Sequence, residues 1–138
     1  MSGLHAAFAR YGASGRSKHW SWSARSADGK TVVMTLWADG LDYKQKPITY
    51  ASKAEKVDRR WLDRPGNRER REYLTWADDH CGGRFRVVIV RAMDVPAEPR
   101  QIATAFAQPR MLGRITWLDR ATGEFTAEIT GLPTGVSP

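Results

Sequence analysis

The sequence predicts an α+β domain built on a curled, mostly antiparallel sheet of five to six strands that could form a half-barrel, with one main helix and one or two short helices. Three observations carry this prediction. Short segments alternate apolar and polar residues and are rich in aromatic and β-branched side chains, as strands are. Tight-turn residues separate two pairs of these segments. Strong helical periodicity extends over a single long segment, Asn67–Cys81.

The first predicted elements are a short helix and a hairpin. Apolar residues recur at helical spacing over Leu4–Tyr11, and a Gly/Ser-rich connection follows. His19–Arg25 alternates tryptophan with serine, Asp28-Gly29 supplies a tight turn, and Thr31–Trp37 is β-branched and aromatic. Residues 19–37 therefore predict a β-hairpin. Apolar residues on both faces of its second strand indicate a central strand that is buried on both sides.

The middle of the chain predicts a weak strand, a connection and the main helix. Leu41–Tyr50 is either an edge strand or an extended loop, since Pro47 argues against a central strand. Ser52–Leu62 is basic with little apolar periodicity and is interpreted as an exposed, mobile connection. Asn67 is the predicted N-cap of the main helix, and Gly82-Gly83 ends it.

The last third predicts a buried strand, a short helix and a second hairpin. Arg84–Ala92 is apolar on both faces, and Pro99 suits the first turn of a helix over residues 99–107. A loop over 108–113 and a hairpin of 114–118 with 124–130 follow. We expect a partly flexible segment at residues 1–18, one globular domain at 19–130 and a disordered tail at 131–138.

Composition limits the class of partner. The 138 residues carry a net charge of +7 and six tryptophans, which favours an anionic partner, most commonly nucleic acid. A single cysteine, the absence of a long apolar run and the absence of a visible leader predict a cytoplasmic protein with no membrane partner. Motifs for metals, glycine-rich phosphate loops and nucleophile elbows are missing from the sequence. We therefore expect no metal and no cofactor, and we lean against an enzyme.

The most basic segment is Lys53–Arg71, which has eight Lys or Arg against four Asp or Glu. Spacing places Arg64, Arg68 and Arg71 near one helix face, where guanidinium groups can bind phosphate. Arginines at a helix N-terminus oppose the helix dipole, and a bound anion would offset that cost. A solvated face balanced by Glu69 and Glu72 is the alternative. The expected phosphate contacts are Lys44, Lys46, Lys53, Arg59, Arg60, Arg64, Arg68 and Arg71.

Aromatic residues interleave with these cations, as in sites that stack single-stranded or flipped bases. The candidates for base stacking or for lining a pocket are Trp20, Tyr43, Tyr50 and Trp61. For Trp20, Trp22 and Trp37 a core position is the open alternative. Trp61 lies in a polar context and marks either a contact surface or an anchor. We expect Trp76 and Trp117 in the core.

Asp78-Asp79-His80-Cys81 collects residue types that bind metals or act as nucleophiles. On a helix these four side chains point about 100° apart and cannot converge without help from elsewhere. A helix C-terminus also disfavours both carboxylates and thiolates. His80 continues the apolar stripe of the helix, so a core histidine is the better interpretation.

Nucleic-acid binding is therefore the leading hypothesis. The alternatives are a small enzyme or pocket domain that binds an acidic small molecule, and a homo-oligomeric interaction protein such as a homodimer. The element order resembles that of small half-barrel domains of the pseudouridine-synthase–archaeosine-transglycosylase type, some of which read modified bases or RNA. That resemblance rests on architecture alone, and architecture does not fix function.

Overall fold

One mixed sheet of eight strands organises the chain in a computed structural model that describes residues 3–16, 21–52, 65–92 and 102–131. Its spatial order is β1-β2-β3-β6-β7-β8-β5-β4, and the sheet stays open, with β1 and β4 at its edges. The strands are β1 Ala13–Ser14, β2 Ser23–Ser26, β3 Val32–Trp37, β4 Leu41–Asp42, β5 Ile48–Ala51, β6 Arg84–Ala92, β7 Ile102–Leu118 and β8 Phe125–Gly131. The helices are α1 Leu4–Ala9 and α2 Pro65–His80. The α+β class is confirmed.

The sheet is mostly antiparallel, as predicted. Among the described strands, β3 and β6 form the one parallel pair, with Val33 opposite Arg86 and Trp37 opposite Val90. The strand count exceeds the predicted five to six. Part of the excess comes from β1 and β4, which have two residues each and leave little trace in the sequence.

Each face of the sheet carries its own core. Alternate residues of β3 and β6 point to opposite sides, which confirms that both strands are buried on both faces. On one face, β3 and β6 residues pack with α2: Val32, Met34, Leu36, Phe85, Val87 and Ile89. On the other face they pack with α1: Val33, Val88 and Val90.

Both predicted hairpins are present. β2 pairs with β3 so that Ser23 lies opposite Met34, and β7 pairs with β8 so that Leu118 lies opposite Phe125. In the first turn the Asp28 carboxylate accepts hydrogen bonds from the Ser26 hydroxyl (2.6 Å) and the Lys30 N–H (2.9 Å). These bonds stabilise the charged carboxylate and lower the pKa of Asp28.

The short helix predicted over residues 99–107 is wrong in the part that the structure describes. Ile102 begins β7, a strand of 17 residues that pairs with β6 on one side and β8 on the other. Phe106 packs on the α2 side, whereas Ala105 and Ala107 pack on the α1 side. That alternation has the period of a strand, and the predicted loop over 108–113 also lies within β7.

α2 confirms the main helix, although its start differs from the prediction. The helix begins at Pro65, whose fixed φ and missing N–H suit a first helical position. Asn67 is not the N-cap, because it is buried inside the helix and donates its amide N–H to the Thr122 carbonyl (2.8 Å). The predicted stop is confirmed, since Gly82 and Gly83 both have positive φ and Gly83 N–H bonds to the Ala77 carbonyl (2.9 Å).

The remaining segments meet the predictions in part. Leu41–Tyr50 contains the edge strand β4 and the interior strand β5, with Leu41 opposite Tyr50. The connection predicted at Ser52–Leu62 lies outside the described residues from residue 53 onward, as does the tail after Gly131. No helix in the described ranges is long and apolar enough to cross a membrane.

Candidate functional site

Four arginines from three parts of the chain line one shallow, open groove on the outer side of α2. Arg16 follows β1, Arg68 and Arg71 project from α2, and Arg120 lies in the β7–β8 turn. The groove has a volume of about 480 Å³, and Trp76 contributes to its lining. We call this feature the arginine groove. Tertiary packing gathers its cations, since two of them lie more than thirty positions from α2.

The four arginines differ in how far their charge is neutralised. Arg120 bonds to the Asp78 carboxylate (2.5 Å) and the Asp79 carboxylate (2.9 Å), and this pairing lowers the pKa of Asp79. Arg16 pairs with Glu72. Arg71 donates to the Ala121 carbonyl (2.6 Å), a neutral acceptor, and Arg68 is exposed. In the described part of the chain no carboxylate pairs with either, so these two carry the available charge of the groove.

The position of these two arginines on α2 favours an anion. Arg68 and Arg71 lie in the first two turns of the helix, and no acidic residue occupies the first turn. Backbone N–H groups at a helix N-terminus carry partial positive charge, so a cation in the first turn, where Arg68 lies, costs roughly 0.3–1 kcal/mol, and the cost fades towards the second turn, where Arg71 lies. An anion in the groove would relieve both the mutual repulsion and the unfavourable dipole.

The buried side chain of Glu69 holds the backbone of Arg16, one of the residues that line the groove. Its side chain is 1% exposed, and its Oε2 accepts hydrogen bonds from the Arg16 backbone N–H (2.7 Å) and the Tyr73 hydroxyl (3.2 Å). Burial, and then the neighbouring Glu69, raise the pKa of Tyr73. Arg16 is thus held where its guanidinium lines the groove. The sequence interpretation missed this role because Glu69 lies inside an arginine run, although its i, i+4 relation to Tyr73 was a usable signal.

One arginine of β2 packs on two aromatic rings of α2. The Arg25 guanidinium lies 4.5 Å from the Trp76 ring and 5.6 Å from the Tyr73 ring. Trp76 also donates its Nε1–H to the Gly29 carbonyl (2.7 Å). These contacts lock the indole against the β2–β3 turn. Trp76 is therefore half-buried at the rim of the core rather than inside it.

The structure brings some of the predicted phosphate contacts together and separates others. Arg68 and Arg71 share the arginine groove, as their spacing predicts. Lys44 and Lys46 are exposed in the β4–β5 turn and do not line it, and Tyr43 beside them is 61% exposed. Six other candidates lie outside the described residues: Trp20, Lys53, Arg59, Arg60, Trp61 and Arg64.

Two aromatic predictions are corrected. Tyr50, a candidate for stacking, is 1% exposed, since interior strand β5 places its ring against Phe125 (5.9 Å between centroids). Its hydroxyl accepts the Trp37 N–H (3.2 Å), so the residue belongs to the core. Trp117, expected in the core, is 51% exposed. A register shift between Ile115 and Trp117 breaks the alternation that would have turned the indole inward.

The remaining aromatic and acidic candidates have structural contacts. Trp22 and Trp37 are half-buried, and the Arg70 guanidinium lies 5.7 Å from the Trp22 ring. His80 packs on Trp76 with 4.1 Å between ring centroids. Burial raises the pKa of the Cys81 thiol, which does not suit a nucleophile. Within the described ranges, no three His, Cys, Asp or Glu residues are grouped to hold a metal ion.

Comparisons with protein-family models, with curated proteins and with solved structures find no match to this chain. Function is therefore inferred from the geometry of the chain itself.

Proposed function

We propose that the protein binds nucleic acid, with the arginine groove as the contact for backbone phosphates. The observation that supports this most is the arrangement of Arg68 and Arg71, which share one groove with Arg16 and Arg120. Guanidinium groups bind phosphate through paired N–H donors, and each phosphate contact releases counterions from the polymer. The chain's net charge of +7 adds long-range attraction for a polyanion.

The open shape of the groove favours a polymer over a small acidic ligand. Sites for small molecules usually enclose 70–90% of the ligand surface. The arginine groove is instead shallow and open, and its four arginines come from the segment after β1, from α2 and from the β7–β8 turn. A strand lying across α2 can contact several of these groups without being enclosed.

The other predicted contacts extend this proposed interface. Lys44, Lys46 and Tyr43 would bind beyond the groove, from the exposed β4–β5 turn. We retain the candidates outside the described residues as proposed contacts on sequence grounds: Trp20 and Trp61 for stacking, and Lys53, Arg59, Arg60 and Arg64 for phosphate. Tyr50 is withdrawn, because a buried ring offers no face to a base.

The test is fluorescence anisotropy of labelled single-stranded and duplex oligonucleotides, titrated over a range of salt concentrations. We expect Arg68→Gln/Arg71→Gln to weaken binding at low salt at least about tenfold, since hydrogen bonds to charged groups contribute about 1.5–3 kcal/mol. For a single strand the log–log salt slope should flatten by roughly 1.4, at about 0.7 for each lost phosphate contact.

Arg91→Gln/Arg110→Gln is the matched control, because it removes the same charge from exposed arginines that do not line the groove. The control should retain most of the affinity. Equal losses in the two double variants would show that net charge alone drives binding and would contradict a defined groove. No binding of any oligonucleotide at low salt would refute the proposal, and tight binding of a free nucleotide without the polymer would favour a pocket domain instead.

A further inference from the structure

A second basic cavity lies on the opposite face of the sheet from α2. It has a volume of about 430 Å³, and it is lined by Arg10, Tyr11, Thr31, Arg86 and Pro109. These residues come from the end of α1, the start of β3, and strands β6 and β7. The arginine groove shares none of them. This cavity is therefore a separate feature of the molecule.

Arg86 is held rigidly in this cavity. Its Nη2 donates to the Pro109 carbonyl (2.8 Å), and its guanidinium lies 5.2 Å from the Tyr11 ring. Tyr11 is fixed in turn, because its hydroxyl donates to the Val87 carbonyl (2.9 Å). A guanidinium with a fixed plane loses little conformational entropy when it binds a ligand.

The Nε of Arg86 is buried and has no hydrogen-bond partner. Buried N–H groups are nearly always paired, so an unpaired one in a charged group points to a missing acceptor. Among the described residues the Tyr11 hydroxyl interacts with the Arg86 guanidinium, but no carboxylate pairs with Arg86 or with Arg10. An oxyanion in the cavity would neutralise both cations.

The neighbouring sheet surface adds positive charge. Arg84 lies two positions before Arg86 on the same strand face and directly opposite Arg114 of β7. Like charges facing each other across a strand pair are unfavourable. Arg114 has a carboxylate partner, Glu128 (2.5 Å). Arg10, Arg84 and Arg86 have none among the described residues, so no described carboxylate neutralises the cations around the cavity.

From these observations we infer that the cavity is an anion site that binds one phosphate group, with Arg86 and Arg10 as its donors. Two guanidinium groups suit a tetrahedral phosphate group, whose several oxygens can accept from both. The same chemistry is offered by inorganic phosphate and by the backbone of a nucleic acid. The site goes beyond the proposed function, because it does not use the arginine groove.

The test is an NMR titration of the arginine side-chain Nε–H resonances with inorganic phosphate at constant ionic strength. We expect a saturable shift of the Arg86 resonance, identified by its loss in Arg86→Lys. Followed at the backbone amide resonance of Tyr11, phosphate binding should weaken about tenfold or more in Arg86→Lys, which keeps the charge but loses the fork of donors. Arg10→Gln should weaken it severalfold, and this exposed position does not threaten folding.

Two further arms make the outcome decisive. Arg91→Gln removes one exposed charge that does not line the cavity and should bind phosphate like the unaltered chain. A single-stranded oligonucleotide without terminal phosphates distinguishes the sources. If it shifts the Arg86 resonance, the backbone supplies the phosphate group, and if only inorganic phosphate does so, the ligand is a free phosphate.

The inference is overturned if neither probe shifts the Arg86 resonance saturably, or if Arg10→Gln and Arg91→Gln reduce phosphate affinity equally. Arg68→Gln/Arg71→Gln separates this inference from the proposed function. That variant should lose oligonucleotide affinity through the arginine groove and should keep the phosphate-dependent shift of Arg86.

Discussion

Glu69 shows how one buried carboxylate positions a charged surface. It accepts hydrogen bonds from the Arg16 backbone and the Tyr73 hydroxyl while remaining shielded from solvent. Its i, i+4 partner Tyr73 lies on the apolar stripe of α2, which draws the carboxylate inward. The Glu69 carboxylate therefore bonds to groups inside the protein. The guanidinium groups of Arg68 and Arg71 instead line the arginine groove at the surface.

Glu69→Ala should lower the free energy of unfolding by about 2–4 kcal/mol, since it leaves two donors without an acceptor and each costs about 1–3 kcal/mol. Urea denaturation followed by circular dichroism measures this change. Glu72→Ala is the matched control, because its pair with Arg16 is about half exposed and should contribute less than about 1 kcal/mol. Equal effects of the two substitutions would show that Glu69 has no special structural role.

Tyr73 should make the fold sensitive to alkaline pH. Its pKa is raised above 10.0 in the folded state, so the folded protein keeps the phenolic proton after the unfolded chain has lost it. The stabilisation is complete below pH 10.0 and is lost as pH rises through the raised pKa. Tyr11 behaves in the same direction because burial raises its pKa as well.

Denaturation midpoints measured at increasing pH above 10.0 test this expectation. Tyr73→Phe should unfold at lower denaturant near neutrality but lose less stability on alkalinisation than the unaltered chain. Tyr43→Phe is the matched control, because it removes a hydroxyl from a ring that is 61% exposed. A slope that is the same in Tyr73→Phe and in the unaltered chain would contradict the assignment.

The position of an individual side chain could be predicted from the sequence where it depends only on spacing along one helix or strand. Arg68 and Arg71 share a helix face because they are three positions apart. Arg16 and Arg120 could not be assigned to the same groove, since only the folded sheet brings them to α2. Tyr50 and Trp117 were predicted in the wrong environments. Pairing of β5 with β8 places Tyr50 in the sheet interior, where its ring is buried. The register shift between Ile115 and Trp117 leaves Trp117 exposed.

At the scale of elements, the β2–β3 turn and α2 depend on each other. Trp76 packs against Gly29 and donates to its carbonyl, and Arg25 of β2 covers the same indole. Gly29 has φ +72°, and an added Cβ would lie 2.8 Å from the Trp76 ring. Glycine is thus required there for both its backbone conformation and its lack of a side chain.

Gly29→Ala should therefore cost more stability than Gly82→Ala. Both positions have positive φ, which costs about 1 kcal/mol for alanine. An added Cβ at Gly82 meets nothing within 4 Å, whereas at Gly29 it clashes with the indole. We expect about 2–4 kcal/mol for Gly29→Ala and about 1 kcal/mol for Gly82→Ala by thermal or urea unfolding. Equal losses would mean that the indole moves aside freely.

Elements with local signals were predictable, and those defined by distant partners were not. The two hairpins, α2 and β6 carry their own turns, caps and periodicity. The start of β7 carries apolar spacing that fits a helix as well as a strand. Pairing with β6 and β8 makes this segment a strand. Those partners are distant in sequence, so a short stretch of sequence around residue 102 does not reveal the pairing.

At the scale of the whole molecule, the sheet separates two basic features. The arginine groove lies beside α2 and the cavity lined by Arg10 and Arg86 lies beside α1, with an apolar core between each helix and the sheet. Arginines without a carboxylate partner among the described residues thus lie on both sides of the sheet: Arg68 and Arg71 on one side, Arg10 and Arg86 on the other. Under the two proposals, we expect salt to weaken oligonucleotide binding at the groove steeply and to weaken phosphate binding at the cavity less, because the donors of the cavity are fixed.

The parallel pairing of β3 with β6 has a consequence for how the chain is made. The residues of β2 and β3 are both complete at residue 37, but β6 begins only at residue 84. Throughout that interval a nascent chain carries a strand that is apolar on both faces and has one open edge. Open apolar edges recruit strands from other chains. We therefore expect the open edge of β3 to favour aggregation while the chain is being synthesised, until β6 pairs with that edge.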